Sequence, residues 1–273
     1  MTWRFIQFCG AALAVLCILG LAGDWDNAAM TAVVQWIEQT NAYYDGIRIW
    51  ISLLVLSVFM IWAGGYLNRH HSRGQGIQIA RAPVLVAACV LVSPVYLLDH
   101  KGVLPGALFA EDGVMEYLTV ALLFASAALA VLAIRRGGFD RAERIMLILF
   151  AGGLAFLAME EISWGQRIFG IETPEALRAA NVQGEINLHN LTVGWNEIVR
   201  MVLACVISAV LILIPRDAVP GLGGRLDRLK PDTRFLPLIP LLIASHVYDE
   251  WFEQIVSYAI FSYALMIHRR AER

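Results

Sequence analysis

Three stretches of the chain carry side chains able to hold a cation, move a proton or bind an anion. The first is residues 160–167, EEISWGQR. If one helix runs through it, Glu160, Ser163 and Arg167 at offsets 0, 3 and 7 share a face, while Glu161 turns about 100° away with Trp164. Two acids at a helix C-terminus oppose the macrodipole and call for a compensating cation or proton; the plainer alternative is a solvated helix end with Arg167 as ion-pair partner. The second stretch begins in EINLHN. Glu185, His189, Thr192, Asn196 and Arg200, at offsets 0, 4, 7, 11 and 15, make a polar stripe leading into an apolar run. Arg200 lies about one turn inside that run, where a lone cation costs about 2.5 to 3.5 kcal/mol, so it must find an acid. Glu116, equally deep in another run, is the expected partner, and a purely structural ion pair is the alternative. In the third stretch His246, Asp249, Glu250 and Glu253, at offsets 0, 3, 4 and 7, put an imidazole and three carboxylates on one helical face. Asp249 as an N-cap with Glu250 in the first turn is the alternative there.

Together these residues read as one site of carboxylates and imidazoles. Glu161, His189, His246, Glu250 and Glu253 form a ligand set suited to a divalent metal such as Zn, Mn or Fe, which activates water or a hydroxyl. Glu160 or Glu185 is then the expected general base, and Arg167 or Arg200 stabilises developing charge or binds a head-group phosphate. The expected function is a metal-dependent hydrolase or transferase acting on a lipid or lipid-linked substrate. Two other classes compete. A proton- or cation-coupled transporter or channel would use Glu116, Arg200 and the polar break at 246–253. A non-catalytic subunit or scaffold of a membrane complex would need only the structural alternatives given above.

The elements that position these residues are set by hydropathy. Of 273 residues 59% are hydrophobic and only 16% charged, with a mean hydropathy of +0.63, which excludes a soluble globule. Runs of membrane-spanning length lie near 5–23, 48–67, 82–98, 114–134, 145–163 and 196–214. A seventh apolar region, 235–267, is too long for one perpendicular span and is interrupted by His246, Asp249, Glu250 and Glu253. Its three carboxylates cost about 7 to 10 kcal/mol at mid-span, so two short spans turning at 246–254 are expected. The fold class is an all-α polytopic membrane helix bundle of about eight segments, or seven if the last region is one span. One transmembrane domain covers 1–273, with an outer loop 164–195 holding a short interfacial helix: Thr173 as N-cap, Pro174 at its first position, Asn181 as its stop. Asp112 is the expected N-cap of the run at 114.

Assigning alternate loops to opposite sides puts 16 of 21 basic residues on one side and 17 of 23 acids on the other. The basic side is cytoplasmic by the positive-inside rule, and the eight-segment version puts both termini there. The setting is a bacterial inner membrane, with membrane lipid as neighbour. The net charge of −2 gives no reason to expect nucleic acid as a partner. Cys9, Cys17, Cys89 and Cys205 all sit in apolar runs without ligand spacing, so neither a disulfide framework nor a thiolate metal site is expected. Arg4 and the run after it also fit a signal peptide, but the further spans favour an uncleaved first helix. His70 and His71 read as loop residues. Trp25, Trp36, Tyr43, Tyr44 and Trp50 read as an interfacial belt.

EEISWGQR and EINLHN, about 30 residues with what lies between them, resemble motifs of bacterial multi-pass membrane proteins to which no activity is attached. That resemblance implies location and fold class alone. The seven-span alkaline-ceramidase and adiponectin-receptor-like hydrolases hold zinc with several histidines, among them an HxxxH pair. This chain has no HxxxH, which sets it apart from them and leaves a carboxylate-rich analogue.

Overall fold

The computed structural model describes residues 113–181, 184–188, 196–214, 226–231, 235, 238–245 and 249–272, with positions 7, 8, 10–12, 14, 15, 57, 61, 65, 92–96, 98, 99, 108 and 109 before them. The chain divides into two compact units, Met1–Gln78 and Ile79–Arg273. In the first, Gln7 donates through its side-chain amide to the Ile61 carbonyl at 3.3 Å. The second holds the elements α1 (Val114–Arg136), α2 (Arg141–Glu161), a 3-10 turn Ser163–Gly165, α3 (Gln166–Phe169), α4 (Glu175–Ala180), α5 (Asn196–Leu213), α6 (Leu238–Ser245) and α7 (Asp249–Ala271). Among the described residues there is no strand.

Two of these helices, α1 and α2, are long and apolar enough to cross a membrane, and Val199–Leu213 is a shorter apolar helix. At 1.5 Å per residue, 23 and 21 residues reach about 35 and 32 Å, the thickness of a hydrocarbon core. On α1 the buried residues Thr119, Leu123, Ser126, Ala130 and Ala133 recur at alternating spacings of four and three, an inward stripe made largely of small side chains. Small residues let neighbouring backbones approach, and α1 packs on both α2 and α7. The opposite faces are apolar too: Val114, Phe124, Val131 and Leu132 on α1, and Ile145, Ile148, Leu149, Phe156 and Leu157 on α2, are all exposed. A helix apolar all round needs an apolar surrounding as well as an apolar core.

A four-residue turn reverses the chain between α1 and α2. Gly137 and Gly138 have φ of 86° and 82°, a region costly for any residue with a Cβ. Asp140 then caps α2: its carboxylate accepts from Glu143 N at 2.8 Å, and Glu143 accepts from Asp140 N at 3.1 Å, a reciprocal capping box. The second oxygen of Glu143 accepts from Arg228 N at 3.1 Å, so segment 226–231 is fastened to the start of α2.

In the region 235–267 the structure describes two helices, α6 and α7; residues 249–254 of the expected turn at 246–254 belong to α7, and 246–248 lie outside the described residues. The eight-residue α6 is about 12 Å long and the 23-residue α7 about 35 Å, so a half-length and a full-length helix replace two similar short spans. Trp251 anchors the start of α7, donating to Ser93 Oγ at 3.0 Å and stacking on Tyr96 at 5.6 Å. Gln254 donates to the Met115 carbonyl at 2.7 Å and to Thr119 Oγ1 at 2.6 Å, which sets α7 parallel to α1. At the far end Arg136 pairs with Glu272, and Arg270 donates to the carbonyls of Arg228 at 2.9 Å and Lys230 at 2.6 Å. The basic ends of α1 and α7 therefore lie together at one end of the unit, and the acidic start of α7 lies beside the start of α1 at the other.

Three local expectations are corrected. Gly113, not Asp112, is the N-cap of α1, and no side chain caps it. Pro174, not Thr173, caps α4, because the Thr173 hydroxyl is already accepting from the Gln166 amide at 2.6 Å. The expected stripe from Glu185 to Arg200 does not lie on one helix: residues 184–188 are non-helical and α5 begins at Asn196.

Candidate functional site

The acidic end is built around the point where α2 stops. The helix does not continue from Glu160 to Arg167, because Ser163 and Trp164 take left-handed φ of 46° and 58°. For residues with a Cβ such conformations cost on the order of 1–3 kcal/mol each and persist only where surroundings enforce them. Here the enforcement is visible. The reversal brings the Trp164 indole back to Glu160, donating to Oε1 at 2.6 Å, and Leu188 N donates to Oε2 at 2.6 Å. Glu160 is only 3% exposed at a helix end whose dipole opposes it, and these two short bonds to a charged acceptor supply the compensation.

The same reversal joins EEISWGQR to EINLHN. Ser163 Oγ and the Arg167 guanidinium both donate to Glu185, one to each carboxylate oxygen, and Asn187 Nδ2 donates to Ser163 Oγ at 2.9 Å and to Glu185 Oε2 at 3.2 Å. Asn181 donates to the Asn187 side chain at 2.7 Å and accepts from Glu185 N at 3.3 Å, and Gln166 accepts from Ile186 N at 2.8 Å. Ser163, Asn181, Glu185 and Asn187 are all buried. Each has a partner, so the network is closed rather than half-satisfied and it specifies one arrangement of the two motifs. Beside it stands an exposed apolar lip of Trp164, Ile168, Phe169, Ile171 and Leu188.

A second group of charges adjoins the network. Glu253 on α7 interacts electrostatically with Glu161, Glu250, Glu116 and Arg200, and Glu161 in turn with Glu116 and Glu160. Acids from α1, α2 and α7 thus share one neighbourhood with the guanidinium brought by α5. Arg200 is ion-paired with Asp249 at the start of α7, while Glu116, the partner expected from sequence, acts on Glu253 in the same group of charges. Glu250 is exposed, Glu161 and Glu253 are half-buried, and Glu253 interacts with both this guanidinium and the other three glutamates. Such crowding beside apolar helices carries a desolvation and repulsion cost that a cation or shared protons relieve.

Of the residues singled out from sequence, Glu160, Arg167 and Glu185 are joined through the network, and Glu161, Arg200, Glu250 and Glu253 through the charge group. The Glu160–Glu161 interaction links the two. His189 and His246 lie outside the described residues. Among the described residues no three His, Cys, Asp or Glu side chains are grouped to hold a metal ion, so a metal set here depends on those two imidazoles. Sequence reasoning passed over Asn187, Gln166 and Gln254 and gave Asn181 and Thr173 only helix-end roles. Asn187 had a detectable signal, an amide two residues after Glu185 within EINLHN. Gln254 stood unremarked beside Glu253, and its Oε1 is buried without a hydrogen-bond partner. Against known proteins, the chain matches no protein-family model, no curated protein and no solved structure, so the chemistry of this site rests on its own geometry.

Proposed function

We propose that this protein is a polytopic inner-membrane enzyme, a hydrolase or transferase, whose site lies at the outer face and acts on a lipid or lipid-linked substrate. The observation that carries the reading is the convergence of Glu116, Glu161, Glu250 and Glu253 from three helices beside an exposed apolar lip. A lipid needs such a place: an apolar edge for its chain next to polar groups for its head. Eight membrane-inserted segments with both termini cytoplasmic fit the parallel course of α1 and α7, which sets the tail beside Arg136 on the basic side.

In this scheme Glu161 and Glu250, completed by His189 and His246, would hold a divalent cation of the Zn, Mn or Fe class, which would supply water activation when bound. Glu160 and Glu185 have both carboxylate oxygens committed to donors, so their part is to fix the turn that carries Arg167 to the lip. Arg167, 41% exposed, is the group that meets a head-group phosphate. Glu253, close to Arg200 and the other acids, takes the proton from the attacking water.

The test is metal analysis of the purified full chain together with head-group release from vesicles of phosphatidylglycerol and phosphatidylethanolamine. Bound metal near one per chain, lost with turnover in His189→Ala and His246→Ala while membrane insertion is kept, is the expected result. A metal-free protein whose Glu253→Gln variant retains full activity removes the metal-enzyme reading. Cation or proton flux in proteoliposomes, abolished by the same variant, would replace it with the transport reading, which the same crowding of acids favours.

A further inference from the structure

At the opposite, basic end the unit contains a cavity of about 620 Å³ between α2, α5, α6 and α7, a size within the range of small-molecule sites. Among the described residues its walls are apolar with two exceptions, Tyr263 and Lys230. Tyr263 is already spent, since its hydroxyl donates to the Leu229 carbonyl. Lys230 is therefore the charged group of the lining among the described residues, and its amine pairs with Asp227 at 2.7 Å, an acid that is 63% exposed. Met146, Leu149 and Val210 line the cavity and are exposed, so it opens on the side of the bundle. The space lies where α5, packed mainly against the half-length α6, stands off from α2 and α7.

We infer that this cavity holds one acyl chain of an anionic phospholipid, with the phosphate bound at Lys230. The occupant must be apolar and extended, because a dry apolar space of this volume in a membrane has hydrocarbon as its available filler. Its head must be negative, because the polar lining group is a cation and the surrounding end is basic: Arg135, Arg136, Arg141, Arg144, Arg228, Lys230, Arg269 and Arg270 stand against Asp140, Glu143, Asp227 and Glu272. A phosphate takes the place of Asp227, which is 63% exposed and can rehydrate, as the partner of the Lys230 amine, whose side chain is 13% exposed and needs an anion. A lipid seated there bridges α5 to α2 and α7. The inference rests on membrane insertion but not on the chemistry proposed for the acidic end.

The experiment reconstitutes the full chain into vesicles of phosphatidylcholine alone or with phosphatidylglycerol, confirms insertion by co-flotation, and measures co-purifying lipid by native mass spectrometry. About one phosphatidylglycerol per chain should be retained over phosphatidylcholine. Lys230→Met, which keeps the apolar stem, should reduce that preference about fivefold while leaving flotation unchanged. Ala259→Trp, which fills the space, should abolish retention of either lipid. Equal retention of the two lipids, or retention untouched by both substitutions, overturns the inference while leaving insertion intact. A chain that floats with neither vesicle overturns both.

Discussion

Replacing Glu185 by alanine tests the network that joins the two motifs. The wild-type carboxylate is 8% exposed and accepts from Ser163 Oγ, Arg167 and Asn187. Deleting it leaves the buried Ser163 hydroxyl without its acceptor and the buried Asn187 amide with Ser163 alone. Each stranded donor costs about 1–3 kcal/mol, with the lower end applying to Asn187 because one bond remains. Arg167 rehydrates, since its side chain is 41% exposed, and contributes about 0–1 kcal/mol. The left-handed backbone at Ser163 and Trp164 also loses part of what enforces it. The expected loss is about 3–5 kcal/mol, a lowering of the melting temperature on the order of 10 °C for a unit of this size. Glu185→Gln keeps one acceptor oxygen and should lose about half as much, and Arg167→Ala no more than about 1 kcal/mol. Unfolding is followed in mixed micelles by tryptophan fluorescence during denaturant titration and, separately, on heating. A Glu185→Ala variant no less stable than Arg167→Ala would mean that the carboxylate is solvated and that the network does not hold the motifs together.

Three further outcomes follow from the same geometry. Asp140→Ala removes the reciprocal cap of α2 and should cost about 1 kcal/mol, with Asp140→Asn recovering most of it; two equal losses in the unfolding titration would argue against the capping box. Arg200→Gln should destabilise the chain by about 3–5 kcal/mol, because it leaves acids near the boundary without their cation, and adding Glu253→Gln should restore part of that loss. Strictly additive effects in that double-mutant cycle count against a shared charge group. A reporter fused after Arg273 should be active in the cytoplasm; activity confined to the periplasm would exclude the eight-segment topology.

Hydropathy alone located three of the described helices, while the runs at 5–23, 48–67 and 82–98 lie largely outside the described residues. The runs read at 114–134, 145–163 and 196–214 correspond to Val114–Arg136, Arg141–Glu161 and Asn196–Leu213, because solvation sets a helix length without reference to a partner. The separation of charge was legible for the same reason: whether a charged side chain stays near water at one end is decided locally. The expected turn at 246–254 was not legible: Asp249, Glu250 and Glu253 already belong to α7, and 246–248 lie outside the described residues. Even the neutral-looking Asn181 announced its role as a helix stop.

What the sequence left open was every feature that depends on a residue far along the chain. Gly165 hints at a helix end, but nothing within 160–167 announces that Ser163 and Trp164 turn left-handed. The reversal is held by Glu185, Asn187 and Leu188, some 22 to 28 residues downstream. Thr173 has the chemistry of an N-cap, yet Gln166 takes its hydroxyl and leaves the cap to Pro174. Arg200 needed an acid by the cost of burying its charge, but Asp249 became its ion-pair partner because packing brings the start of α7 beside α5. Desolvation assigns each charged group a requirement from its own type and depth. Which neighbour meets the requirement is decided only when the helices pack, because that choice is a matter of distance in space and not of separation in sequence.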